Sequence, residues 1–205
     1  MKRSGPRHQP GKKGRSRIMP DNKKELEQLG EKTLSSETVF DGVLLHVVRD
    51  RVELPNGNES GRELIRHVGA VGVIPVTDDG KVIVERQFRY PIGKVITEIP
   101  AGKVDGPEED RLEACKRELR EETGITAREW ICIGDYYPTP AYSDERITLY
   151  LARGLSYGER NLDEDEFLNV SAVPLEELVE EVMAGRIADG KTQTAILKAA
   201  RIMQQ

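Results

Sequence analysis

"KRELREETGI" (Lys116–Ile125) sets Glu118, Glu121 and Glu122 in a stretch otherwise made of helix formers. Spacings of three and four residues put all three carboxylates on one helical face. Leu112, Cys115 and Leu119 recur at i, i+3 and i+7 and mark a core-facing side. The pattern predicts a helix over about residues 109–123, ended by Gly124 as a left-handed cap. Like charges so close cost about 0.2–0.5 kcal/mol per pair. One explanation is a plain solvated face, supported by Glu113 and Arg117 as an i,i+4 pair. The other is a hard divalent cation. Magnesium and manganese take carboxylate oxygens, keep several waters and commonly engage substrate phosphates.

Upstream and downstream of this helix the pattern is mostly extended. Residues 22–34 read as a short helix, and VLLHVVRD, RVELPNG and RELIRHV as strands with a Pro-Asn-Gly turn among them. AVGVIPVT (70–77) and VIVERQF (82–88) flank a DDGK turn and predict a hairpin. After the acidic helix, IGDYY, RITLYLAR and FLNVSAV are extended. LEELVEEVMAG sets Leu175, Leu178, Val179, Val182 and Met183 on one stripe, and KTQTAILKAARIM forms the last helix. Strands first, one helix in the middle and two at the end give an α+β class with a layered α/β/α arrangement.

Composition narrows the function classes. The 205 residues fit one domain of ordinary size, and no apolar run approaches the roughly 18–20 residues of a membrane span. Cys115 and Cys132 form no C-x-x-C pair, and His8, His46 and His67 are too scattered for a zinc site. The first twenty residues carry seven Lys or Arg and no acid, while the chain as a whole is at −5. An arm that binds nucleic acid is one reading; since no aromatic is interleaved to stack on bases, a disordered, solubilising extension is the favoured one. The basic start lacks the apolar core of a secretory signal, which makes the cytoplasm the expected compartment.

The run Gly102-x6-Glu109-x7-Arg117-Glu118-Leu119-x-Glu121-Glu122-x-Gly124-Ile125 closely resembles the Nudix hydrolase signature, G-x5-E-x7-R-E-U-x-E-E-x-G-U with U apolar. The chain has one extra residue after Gly102. Taking Glu108 as the first acid would restore that spacing but move the insertion into the helix, rotating its face by about 100°. An insertion in the GKVDGPE loop costs far less, so Glu109 is the match. The resemblance runs from about Phe40 to the C-terminus. VELPNG, ERQFRY, EIPAG, YPTPAYSDE, DEDEF and IADGKT are similar to the ADP-ribose pyrophosphatase branch, with Ala141 where that branch usually has glycine.

This resemblance implies a Nudix-type α/β/α sandwich with a mixed β-sheet over residues 67–205. It is preceded by an antiparallel strand region over 36–66 and a basic extension over 1–35. It also implies magnesium-dependent hydrolysis of the pyrophosphate bond of ADP-ribose, with manganese an alternative cation. Rival readings are a diphosphatase for another nucleotide sugar such as GDP-mannose, and a non-catalytic Nudix module binding nucleotides or RNA. By resemblance, Glu118 and Glu122 are metal ligands, joined by the carbonyl of Ala101, with Glu121 and Glu166 as further candidates. Arg117 ties Glu109 or its loop in place. Glu164 is the candidate base in the acidic loop NLDEDEF (161–167), with Glu166 and Glu145 as alternatives. Arg62 and Arg89 resemble arginines that hold phosphates or a terminal ribose, and Phe40 an adenine-stacking position. A homodimer exchanging N-terminal strands is expected on the same ground, residues 40–66 completing the partner's pocket.

Overall fold

The computed structural model describes residues 22–161 and 167–204. The described residues divide into two compact units, those up to 37 with 49–62, and 38–48 with those from 63 onward. Helix α1 (Asn22–Leu29) precedes three strands, β1 (Lys32–Asp41), β2 (His46–Glu53) and β3 (Glu59–Arg66), which form one sheet in that order. Strand β1 thus starts at Lys32, four residues ahead of the boundary expected at 36.

The larger unit holds two further sheets. One is mixed: β4 (Ala70–Pro75) lies between β7 (Ala101–Lys103), antiparallel to it, and β9 (Ile147–Tyr157), parallel to it. Strand β8 (Ile125–Tyr136) completes that sheet, antiparallel to β9. The other sheet is β10 (Leu168–Pro174), β5 (Lys81–Arg89) and β6 (Lys94–Glu98), all antiparallel. Helix α2 (Arg111–Thr123) packs on β4, β7 and β8; α3 (Leu175–Met183) and α4 (Gly190–Met203) cover the other side.

Two cores result, one on each face of the strands. Val71 and Val73 of β4 meet Ala114, Cys115 and Leu119 of α2. Ile74 of β4 and Leu149 and Leu151 of β9 meet Leu178, Ala195, Ile196 and Ala199 of α3 and α4. Every residue of β4 is buried, as a strand covered on both faces requires. This is the α/β/α sandwich that the element order implied.

Three expectations need correction. The 70–88 segment has both strands and the turn, but they share a single bridge, Val76 with Val82, before parting into different sheets. β4 buries both faces and pairs with β7 and β9, while β5 is buried only over 82–85 and pairs with the nearby β6 and the distant β10. Met183 falls off the apolar stripe of α3 and is 75% exposed, while Leu178 and Val182 are buried. Strand β8 starts at Ile125, directly after the helix cap, well before IGDYY. No helix among the described residues is long and apolar enough to cross a membrane.

Candidate active site

Helix α2 is fixed at both ends. The Asp110 carboxylate accepts from the backbone N–H of Leu112 at 2.9 Å and of Glu113 at 3.1 Å, a side-chain N-cap. Gly124 stops the helix at φ 72°, and its N–H donates to the Arg120 carbonyl. Between these ends two of the three glutamates reach across to β7. The Ala101 N–H donates to Glu122 Oε2 at 3.0 Å. The Glu118 carboxylate lies so close to Gly102 that a Cβ there would stand 2.1 Å from its Cδ. Only glycine leaves room for it.

Arg117 gathers the remaining acids. Its Nη1 donates to Glu118 Oε1 at 2.8 Å and to Glu121 Oε2 at 3.2 Å, and its Nη2 to the Lys103 carbonyl at 3.2 Å. Its Nε lies 3.4 Å from Glu109 Oε1. Glu109 also accepts from the Asp105 N–H at 2.6 Å, which pins the loop before the helix. The Asp105 N–H first, and Arg117 second, hold the Glu109 carboxyl below the usual carboxylate range. Burial disfavours the Arg117 charge, but its bonds to Glu109 and Glu118 outweigh that and raise its pKa further. The i,i+4 pair expected between Arg117 and Glu113 does not form. Glu113 takes Lys116 at 2.8 Å, since Arg117 turns toward Glu109, Glu118 and Glu121.

A second charged network joins β5, β6 and the start of α4. Arg89, at the end of β5, forks onto Glu98 of β6, with Nε to Oε1 at 2.6 Å and Nη2 to Oε2 at 2.9 Å. Lys191, at the start of α4, also donates to Glu98 Oε2 and lies 3.1 Å from Asp189 Oδ2. The Glu98 side chain is only 4% exposed. Burial alone would raise its pKa; the Arg89 fork and Lys191 reverse this and hold it below the usual value. Asp189 in turn caps α4, accepting from the Thr192 N–H at 2.9 Å.

Both networks line one cleft of about 890 Å³ in the larger unit. Arg117, Glu118 and Glu121 of α2 and Arg89, Glu98 and Lys191 of β5, β6 and α4 all line it. Residues 66–192 match the NUDIX domain family, and residues 31–65 the nucleoside diphosphate sugar hydrolase N-terminal domain. The chain belongs to the Nudix family. It is 44% identical over 173 residues to the ADP-ribose pyrophosphatase of Bacillus subtilis (strain 168), covering 83% of this chain and 93% of that protein. It is 42% identical over 168 residues to a methanol dehydrogenase activator of Bacillus methanolicus, covering 81% and 90%. A crystal structure of an ADP compounds hydrolase shares the fold, with a TM-score of 0.76 at 23% identity, covering 85% of this chain and 94% of that one.

In this Nudix domain the site candidates divide into three groups. Ala101, Glu118, Glu121, Arg117 and Arg89 line the cleft, with Glu122 and Glu109 bonded to its walls. Glu145 lines it too, its Oε1 3.9 Å from His67 Nε2. Arg62 belongs to the smaller unit, where it forks onto Glu31 and also bonds Ser60 and the Gly61 carbonyl. Phe40 is 55% exposed and is not among the cleft's lining residues. Glu164 and Glu166 lie outside the described residues.

Carboxylate and carbonyl oxygens are the donor types that magnesium and manganese take, so Glu118, Glu122 and Ala101 fit such an ion in kind. Among the described residues no three acidic, His or Cys side chains already converge on one point. Arg117 Nη1 supplies the positive charge between Glu118 and Glu121. The site residues that sequence reasoning missed are Glu98 and Lys191. Both stand in stretches similar to the family branch, EIPAG and IADGKT, but 93 positions apart, and no periodicity links them.

Proposed function

We propose that the protein hydrolyses the pyrophosphate bond of ADP-ribose, giving AMP and ribose 5-phosphate, with magnesium as the working cation and manganese as a substitute. The observation that carries this reading is one cleft lined both by α2 carboxylates and by the Arg89 fork on Glu98. A diphosphate diester carries two negative charges that repel an attacking water, so it needs positive charge on both sides. Similarity to an ADP-ribose pyrophosphatase over most of both chains selects the substrate.

Glu118, Glu122 and the Ala101 carbonyl are the proposed ligands, with Glu121 and Glu166 adjoining; the bound cation would neutralise the diphosphate and acidify a water. Arg117 keeps the carboxylates and the Glu109 loop in register before substrate arrives. Arg89 offers the diphosphate its remaining guanidinium face, Nη1, which has no hydrogen-bond acceptor among the described residues. The attacking water must lose a proton to a carboxylate within reach. Glu164 is assigned that proton, with Glu145 on the cleft wall as the alternative. Asn161 supports the first assignment: it lines the cleft, its N–H donates to the Glu121 carbonyl at 3.0 Å, and Glu164 follows three positions later.

The proposal includes a homodimer in the cytoplasm. Val39, Phe40, Val43, Leu44 and Leu45 are all exposed, an apolar surface that a second protomer would cover. Phe40 and Arg62 would then serve the partner's cleft. Two unpaired thiols, Cys115 and Cys132, suit a reducing compartment. The test is a panel of ADP-ribose, GDP-mannose and UDP-glucose with magnesium, read as phosphate released after phosphatase coupling. ADP-ribose should give the highest kcat/KM. Preference for GDP-mannose would move the substrate. No turnover on any of them, together with RNA binding that weakens steeply with salt, would make the protein a binding module.

A further inference from the structure

Lys191 stands at the first turn of α4, away from the signature helix, yet it is 8% exposed and its ammonium is spent inside the cleft wall. A buried lysine is costly unless its charge is matched. Here it is matched twice, by Glu98 and by Asp189. Glu98 in turn is shared, since its Oε2 takes both Lys191 and Arg89 Nη2, while its Oε1 takes Arg89 Nε. The four groups carry two positive and two negative charges, so the network is neutral as it stands.

Neutrality has a consequence for Arg89. Glu98 alone would hold the guanidinium as a tight pair and cancel most of its field. With Lys191 drawing on the same carboxylate, Glu98 still fixes the orientation of Arg89 through two bonds but cancels less of its charge. Asp189 is rooted by capping α4 through the Thr192 N–H, and the Thr192 hydroxyl accepts from the Ile99 N–H at 2.9 Å, next to Glu98. The α4 start and the end of β6 are therefore held to each other at the point where Lys191 meets Glu98.

We propose that Lys191 is a positioning residue: through Glu98 it orients Arg89 and keeps its charge available to the substrate's diphosphate. The inference rests on the reading of Arg89 given above. Lys191 itself has its charge committed to Glu98 and Asp189.

A double-mutant cycle on the full chain tests it, with KM and kcat for ADP-ribose measured for Arg89→Ala, Lys191→Met and the pair. Each single variant is expected to raise KM about tenfold with kcat less affected, the loss of one charge-assisted contact. The pair should be no worse than Arg89→Ala alone, because Lys191 acts only through Arg89. A merely structural lysine would instead give effects that multiply. Multiplying effects, or an unchanged KM in Lys191→Met, would overturn the relay while leaving Arg89 in place. An unchanged KM in Arg89→Ala would overturn the placement of Arg89 and the relay with it. Glu98→Gln reads the same relay from its centre and keeps it testable if Lys191→Met does not fold. It should raise KM as Arg89→Ala does, and a wild-type KM there would contradict the proposal.

Discussion

The Glu118 carboxylate occupies the space that a side chain at Gly102 would take, with the built Cβ only 2.1 Å from Glu118 Cδ. The first glycine of the signature is therefore a seat for a glutamate three elements of the motif later. Gly102→Ala must displace that carboxylate. Turnover should fall about a hundredfold, the scale of loss for a misplacement near 1 Å. Circular dichroism should stay that of wild type. Wild-type turnover would show that the Glu118 position is not needed.

Glu122 is 5% exposed and accepts from the Ala101 N–H. In Glu122→Gln the amide oxygen can still accept that bond, so the fold is expected to persist while the anionic ligand is lost. Steady-state kinetics should show most of the turnover gone, and the melting temperature should move little. Near-normal rates would remove Glu122 from the ligand set.

Arg117 supplies the positive charge that lets Glu118 and Glu121 sit together. Arg117→Ala should cost about 1–3 kcal/mol by leaving their charges uncompensated. Magnesium binds the folded state, so it should raise the melting temperature of this variant more than that of wild type. Thermal melts with and without magnesium measure this. An equal magnesium shift in both proteins would separate Arg117 from the cation site.

Glu98 titrates below its usual value because Arg89 and Lys191 outweigh the cost of burying it. A carboxylate with a depressed folded pKa contributes stability that is present above the unfolded pKa, about 4.3. That contribution is lost as pH falls through the lower folded value. The stability gap between wild type and Glu98→Gln should thus be full at neutral pH and shrink below about pH 4. Denaturant titrations across that range check it; a gap that widens on acidification would reverse the assignment.

Cys115 is fully buried on the core side of α2, and burial pushes its thiol pKa well up, whereas Cys132 is exposed. A disulfide reagent should therefore label one thiol in the native protein and two in denaturant. Rapid labelling of both in the native state would mean that the α2 core opens readily.

The acidic helix was legible because its whole logic is local. Cys115 and Leu119 inward, the acids on one face and Gly124 at the end are all decided within fifteen residues. The 70–88 hairpin was half legible. Its turn is local, but β4 pairs with β9 more than seventy positions away and β5 with β10 more than eighty away. A strand buried on both faces carries no alternation to show which neighbour it takes. Met183 joined the stripe on helical spacing alone, and only the packing of α3 against α4 shows that this edge faces solvent. Glu98 and Lys191 illustrate the remaining limit: each alone reads as an ordinary charge, and only the fold makes them a buried pair.

The central claim is that a divalent cation sits among Glu118, Glu122 and the Ala101 carbonyl. The most direct measurement is anomalous diffraction from a crystal soaked with manganese and a non-hydrolysable ADP-ribose analogue. The account predicts a manganese peak touching both carboxylates and that carbonyl, with the analogue's diphosphate between it and Arg89. An ordered analogue with no metal peak beside those glutamates would contradict it.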